Sequence, residues 1–140
     1  MSGELILIVD DHPANLKLVR VLLEAEGFEI KTAIDAGDAL QVLKECLPQM
    51  ILMDIQLPGM DGLTLARQIK TDPLLREVAI VALTAYAMKG DAERARSSGC
   101  CGYITKPINT RNFGAVISRY LTASKSEKST DSLLLAMGTD

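Results

Sequence analysis

The sequence predicts a doubly wound α/β fold: a five-stranded parallel sheet of order 2-1-3-4-5 with helices on both faces. Three observations point there. Short strand-like runs alternate with longer amphipathic segments at a rhythm of about 24 residues, five times over and without sequence repetition. Three of those runs are continuously apolar, as suits strands covered by helices on both faces. The other two are alternating or mixed, as suits the edges of such a sheet.

The elements follow in order. Leu5-Ile6-Leu7-Ile8-Val9 is the first strand, and a helix begins at Pro13, carries Leu18, Val19, Leu22 and Leu23 on one face and stops at Gly27. Phe28-Glu29-Ile30-Lys31-Thr32-Ala33 alternates and forms the second strand. The second helix runs over about 36–47, with Asp35 as candidate N-cap and Pro48 as terminator. Met50-Ile51-Leu52-Met53 is the third strand, and a helix follows over about 62–71, before Asp72-Pro73. Residues 78–83 are the fourth strand; the helix after it, over about 88–98, offers only Ala92 and Ala95 for burial and is expected to be the most mobile. Residues 100–105 are the fifth strand. Asn109 is then a plausible N-cap for a helix whose Phe113, Val116, Ile117, Tyr120 and Leu121 form one apolar stripe. This is the flavodoxin-like arrangement.

Composition limits what such a domain can be. The chain has 140 residues, 48% of them hydrophobic and 24% charged, with a formal net charge of −3. That apolar fraction excludes a disordered protein, and no apolar run approaches the roughly 18 residues of a membrane helix. Met1-Ser2-Gly3-Glu4 lacks the features of an export leader, so a cytoplasmic location is expected. Cys46, Cys100 and Cys101 are an odd count with one histidine beside them, which argues against a disulfide scaffold and a zinc site. The paired cysteines read as small strand packers. No Lys/Arg cluster marks a nucleic-acid surface. The folded unit is expected over 1–123. Residues 124–140 pass from a Ser/Lys/Glu linker to a short apolar patch around Leu133-Leu134-Leu135; a disordered tail or a docking peptide fits them, and they are too few for an output domain.

In open α/β sheets, ligands bind at the carboxyl ends of the strands, near the point where strand order reverses. There the first strand ends in Asp10-Asp11, the third in Asp54 and the fourth in Thr84, and Lys106-Pro107 follows the fifth. Each residue alone has a plain structural reading, as a turn, cap or solvated loop lysine. Together they would need several independent accidents at one sheet edge. Three converging carboxylates call for a hard divalent ion, and magnesium commonly takes only one or two of them, leaving room for a phosphate oxygen. Lys106 adds a point charge and Thr84 a hydroxyl donor. This constellation suits phosphoryl transfer, with Asp54 as nucleophile forming an aspartyl phosphate. His12, just before Pro13, reads as a helix N-terminal residue rather than a phosphohistidine site.

The series Asp10-Asp11, Met53-Asp54-Ile55-Gln56-Leu57-Pro58-Gly59-Met60-Asp61-Gly62, Thr84-Ala85 and Tyr103-Ile104-Thr105-Lys106-Pro107 resembles the CheY-like receiver domain of two-component response regulators over about 4–122. It is most similar to the stand-alone receivers of the DivK type, much of which is shared by receivers within hybrid histidine kinases. The resemblance implies Asp54 as phospho-acceptor, and Asp11, Asp54 and the Gln56 backbone carbonyl as magnesium ligands, with Asp10 acting through water and manganese able to substitute. It implies that Lys106 pairs with the phosphoryl group and that the peptide before Pro107 is cis. Tyr103 then resembles the aromatic switch coupled to Thr84; the plainer alternative is a half-buried edge-strand tyrosine with a wet hydroxyl. Gln56 and Tyr86 sit where such domains tune aspartyl-phosphate lifetime.

The expected function is a signalling receiver that catalyses only its own phosphorylation and dephosphorylation. A histidine kinase or histidine phosphotransfer protein would donate the phosphoryl group, and a target protein would bind the face of helix 4, strand 5 and helix 5, with no nucleic acid or membrane involved. One alternative is a receiver module from a hybrid kinase or longer regulator. An aspartate-nucleophile phosphohydrolase is disfavoured because Gln56 stands where the second aspartate of haloacid dehalogenases would be. A flavin module is disfavoured because the acidic loop at 10–13 would repel phosphate.

Overall fold

The structure, a computed structural model, describes residues 3–84, 90–106 and 108–122. Its elements run β1 (Leu5–Val9), α1 (Pro13–Ala25), β2 (Glu29–Ala33), α2 (Ala36–Glu45), β3 (Met50–Asp54), α3 (Gly62–Thr71), β4 (Ala79–Thr84), α4 (Asp91–Ser97), β5 (Gly102–Thr105) and α5 (113–122). The strands are parallel in the order β2-β1-β3-β4-β5, as the run types predict.

Side-chain alternation along the central strands divides the core in two. Leu7, Val9, Ile51, Met53, Ile80 and Ala82 face α2, α3 and α4 through Ala39, Leu65, Ile69 and Ala95. Ile6, Ile8, Leu52, Val81 and Leu83 point the other way, onto Val19 and Leu23 of α1 and Phe113, Ile117 and Leu121 of α5. All residues of β3 and β4 are buried, which is why these strands read as unbroken apolar runs. Burying a large aliphatic side chain stabilises by about 1.5–3 kcal/mol, so the two clusters hold the strand ends, and whatever they carry, in fixed register.

The helix ends show the expected signals with several shifts. Pro13 opens α1, and Gly27, at φ 95, turns the chain back after it. The apolar stripe of α1 is narrower than expected: Val19 and Leu23 are buried, whereas Leu18 is 41% exposed. The Asp35 side chain accepts the Asp38 N–H and caps α2, which ends at Glu45 rather than Leu47. Asn109 does not cap α5. Its Oδ1 accepts from Arg111 N at 3.1 Å in a preceding turn, and the helix starts at 113. The fifth strand starts at Gly102, so neither paired cysteine lies in it; Cys100 does pack in the core just before the strand, whereas Cys101 is exposed. Tyr86, the start of the helix expected over 88–98, Pro107 with its expected cis peptide, and the 124–140 tail lie outside the described residues.

Candidate functional site: an acidic cluster at the carboxyl edge of the sheet

β1 and β3 are adjacent, with Val9 opposite Met53, so the residues after them emerge side by side. Asp54 is the last residue of β3, paired with Leu83 of β4. Asp10 continues the line of β1: its N–H donates to Ala33 O at 3.0 Å, and its Oδ1 accepts His12 N at 2.9 Å. Asp10 and Asp54 are both almost fully buried.

Lys106 completes the cluster from the far side of the sheet. Its Nζ donates to Asp10 Oδ2 at 3.1 Å and to Asp54 Oδ2 at 3.2 Å, bridging the two buried carboxylates. Its backbone N–H donates to Thr84 O at 2.7 Å, so the lysine hangs from the end of β4. Thr84 is itself buried there, opposite Thr105. On the other side of Asp54, Oδ1 accepts Gln56 N at 2.9 Å, a local turn that aims the carboxylate across the edge. Behind that turn Gly62 N donates to Ile55 O at 2.7 Å; a Cβ on Gly62 would run into the backbone oxygen of Asp54 and lie 2.8 Å from Ile55 Cα. The glycine is the condition for α3 to start so close to the strand end.

The electrostatics follow from this geometry. Burial raises the Asp54 pKa above the ordinary carboxylate value; the Gln56 N–H and the Lys106 charge pull it down, and Asp10 pushes it further up. Burial works against the Lys106 ammonium, but Asp10 and Asp54 outweigh it and hold that pKa above its usual value. One cation thus faces two buried carboxylates and a third, Asp11, at the rim.

The donor set fits a hard divalent cation. Ligand atoms of Asp10, Asp11, His12 and Asp54 all lie within 4.8 Å of one another. Asp11 Oδ1 is shielded from solvent yet accepts no well-aligned hydrogen bond, an unmet acceptor aimed into the group. Oxygen-rich sites with carboxylates suit magnesium or manganese.

Six described residues of the sequence-derived set, Asp10, Asp11, Asp54, Gln56, Thr84 and Lys106, are thus brought to one edge. Tyr103 stands apart on β5, half-buried against the α4 side of the core. Its hydroxyl is enclosed rather than wet; burial and the nearby Asp91 carboxylate raise its pKa, and Asp91 pairs with Arg94 at 2.5 Å. Two contributors escaped the sequence reading. His12 does sit at the N-terminus of α1, but its ring turns back onto both neighbouring aspartates instead of capping the helix. Asp91 is buried at the start of α4, where a charged residue in a polar helix gave no sign of burial.

Comparison with known proteins agrees with this fold. A family model described as the response regulator receiver domain matches residues 6–118. The polar-differentiation response regulator DivK of Brucella anthropi is 45% identical over 116 residues, which cover 83% of this chain and 94% of that protein. A CheY-like receiver domain protein from Methanospirillum hungatei has a similar structure, with TM-score 0.82 at 32% identity, covering 90% of this chain and 99% of that one. So does the receiver domain of a sensor histidine kinase from Pseudomonas aeruginosa, solved with a magnesium ion in its active site cleft: TM-score 0.77 at 30% identity, covering 86% and 99%.

Proposed function

Because the chain belongs to the response regulator receiver domain family, we propose that it works as a phosphorylation switch in which Asp54 accepts a phosphoryl group from the phosphohistidine of a kinase or phosphotransfer protein. The observation that carries this reading is the bridge from Lys106 Nζ to Asp10 and Asp54, which gathers a nucleophile, a cation and an acidic cradle at one sheet edge. The proposed receiver unit spans 1–123, acting in the cytoplasm; no helix among the described residues is long and apolar enough to cross a membrane.

The chemistry assigns each residue a task. An Asp54 carboxylate oxygen attacks phosphorus; the new O–P bond forms as the P–N bond to the donor imidazole breaks, and the electron pair returns to the departing nitrogen. The Gln56 N–H holds the second carboxylate oxygen, fixing the orientation of attack. Lys106, already facing Asp54, is placed to meet the incoming charge, and the Thr84 hydroxyl is a further donor at the same edge. Asp11, Asp54 and the Gln56 carbonyl would hold magnesium, with Asp10 one water removed; manganese could take its place. When bound, the metal neutralises charge on the phosphoryl oxygens. Gln56 and Tyr86 would set how readily water reaches the product, and so its lifetime. The protein would catalyse only its own phosphorylation and dephosphorylation.

The added phosphoryl charge, about −1.5 to −2, must be met by Lys106 and Thr84. Thr84 and Tyr103 lie on paired strands, Thr84 opposite Thr105 and Ala82 opposite Tyr103, so a shift at the β4 end bears on the packing of the tyrosine. The proposed output face is α4-β5-α5. It carries a depression of about 270 Å³ bordered by Ala95, Arg96, Gly102, Tyr103 and Tyr120, suited to a protein partner. Incubation with magnesium and acetyl phosphate should add one acid-labile phosphate to the wild-type protein and none to Asp54→Asn, read by intact mass. No gain by the wild type, under conditions that phosphorylate a known receiver, refutes the reading.

A further inference from the structure

We propose that His12 is an additional metal ligand, so that the acidic cluster binds nitrogen-accepting transition-metal ions such as Mn²⁺, Ni²⁺ and Zn²⁺ by its imidazole as well as its carboxylates. The inference rests on the reading of the cluster as a divalent cation site. Three observations carry it.

The first is where the ring goes. His12 is the N-cap residue of α1, with φ −99 and ψ 112, yet its side chain makes no capping hydrogen bond. Instead Nδ1 lies 3.1 Å from Asp10 Oδ1 and 3.1 Å from Asp11 Oδ1. The turn that puts it there is built in, since His12 N donates to the same Asp10 Oδ1. The second is spacing. Neighbouring donors of an octahedral ion with bonds of about 2.1 Å stand about 3.0 Å apart. The 3.1 Å separation of His12 Nδ1 from Asp11 Oδ1, the carboxylate read above as a direct ligand, matches such an edge, and an Asp54 oxygen lies within the same 4.8 Å compass. The third is the shielded Asp11 Oδ1. It sits 3.1 Å from Nδ1 without a well-aligned hydrogen bond, an open acceptor that a shared cation would satisfy; Nδ1 itself is within hydrogen-bond distance of Asp10 Oδ1, a contact that ligation would replace.

The chemistry separates the ions. Magnesium prefers oxygen and gives up water reluctantly, so an imidazole adds little for it. Imidazole suits manganese weakly and nickel or zinc strongly, in the Irving–Williams order. The His12 side chain is 65% exposed, so ligation costs the ring little desolvation. The alternative is that the ring only orients the two aspartates.

The test uses the untagged full chain, because His12 is its one histidine and any imidazole signal is then its own. Mg²⁺ and Ni²⁺ are titrated calorimetrically into wild type, His12→Asn, which keeps a good N-cap residue, and Asp11→Asn. Losing a ligand should cost Ni²⁺ no less than the roughly tenfold that a lost outer-shell partner costs, while Mg²⁺ affinity in His12→Asn stays within about twofold. Electron spin echo spectra of the Mn²⁺-loaded wild type should show directly bound nitrogen, absent in His12→Asn. If both metals bind and weaken in Asp11→Asn, but His12→Asn leaves their ratio unchanged and no nitrogen coupling is seen, the histidine only orients carboxylates and the proposal fails alone. If neither metal binds, or Asp11→Asn weakens neither, the cation-site reading fails with it.

Discussion

Replacing Lys106 by methionine isolates the electrostatic core of the site, since methionine keeps the length and apolar volume of the stem and removes the charge. In the native protein one ammonium, 13% exposed, faces carboxylates that are 2% and 5% exposed at 3.1 and 3.2 Å. At an effective dielectric constant of 20, each contact is worth about 5 kcal/mol before desolvation. Desolvation of Lys106 is the largest single opposing effect, so the net value is far smaller. Breaking a buried pair while leaving its anions behind costs about 3–5 kcal/mol; with Asp11 34% exposed at the rim, water can reach the cleft and the lower end applies. About 3 kcal/mol corresponds to a fall in Tm of roughly 12 °C for a domain of this size. The assay is thermal unfolding by circular dichroism at pH 7.5 in chelator, with Lys17→Met as the exposed control. The pH dependence supplies a second check. Asp54 already has a raised folded pKa, and loss of Lys106 removes one of the groups holding it down. Protonation on acidification then favours the folded variant, so its deficit shrinks as pH falls through that raised value, and millimolar Mg²⁺ at pH 7.5 should shrink it too. A Tm within about 2 °C of wild type in chelator, or a deficit that widens on acidification, would refute the reasoning.

Two further predictions concern the frame. Gly62→Ala forces a Cβ against the Asp54 backbone, which cannot rotate away; a loss of about 3 kcal/mol or more is expected in urea unfolding, with weaker Mg²⁺ binding, and an unchanged midpoint would show that α3 yields freely. Cys100 is buried, and burial, with a smaller push from Cys101, raises its pKa from 9.0 to about 11. At neutral pH, iodoacetamide should therefore label exposed Cys101 well before Cys100, as peptide mapping would reveal. Between pH 9 and 11 only the unfolded chain releases the Cys100 proton, so stability should fall by up to about 3 kcal/mol across that window, and Cys100→Ala should remove this slope.

How far the sequence could be read depended on the range of the forces involved. Strand order and the edge carrying Asp10, Asp11, Asp54 and Thr84 were legible, because burial on two faces writes itself into unbroken apolar runs and the parallel topology then places every strand end on one side. Lys106 was legible for the same reason. The Asn109 cap was misplaced because a short polar side chain closes a nearby turn as readily as a helix, and the choice was made by where Phe113 could bury. The ring of His12 could not be read either. Its orientation depends on an Asp10 oxygen shared between His12 N and Nδ1, a torsional matter that residue type alone leaves open. Gly62 stood in the motif and at a helix start, but its steric role was not legible, since what it avoids is a backbone atom of another element.

The division of the site between stiff and less supported strands bears on the proposed switch. Asp54 ends a strand that is wholly buried and paired on both sides, so the carboxylate position is fixed by β1 and β4 together. Tyr103 belongs to an edge strand of four residues, paired only with β4 and partly open to solvent, and Lys106 directly follows that strand. The backbone link from Lys106 N to Thr84 O joins these two edge-side residues to the end of β4. A charge added at Asp54 can pull the cation and the hydroxyl toward it more cheaply than it can move itself. The response to phosphorylation should therefore fall on the β4-β5 side, where Tyr103 lies beneath α4, while the β1-β3 carboxylates remain in place.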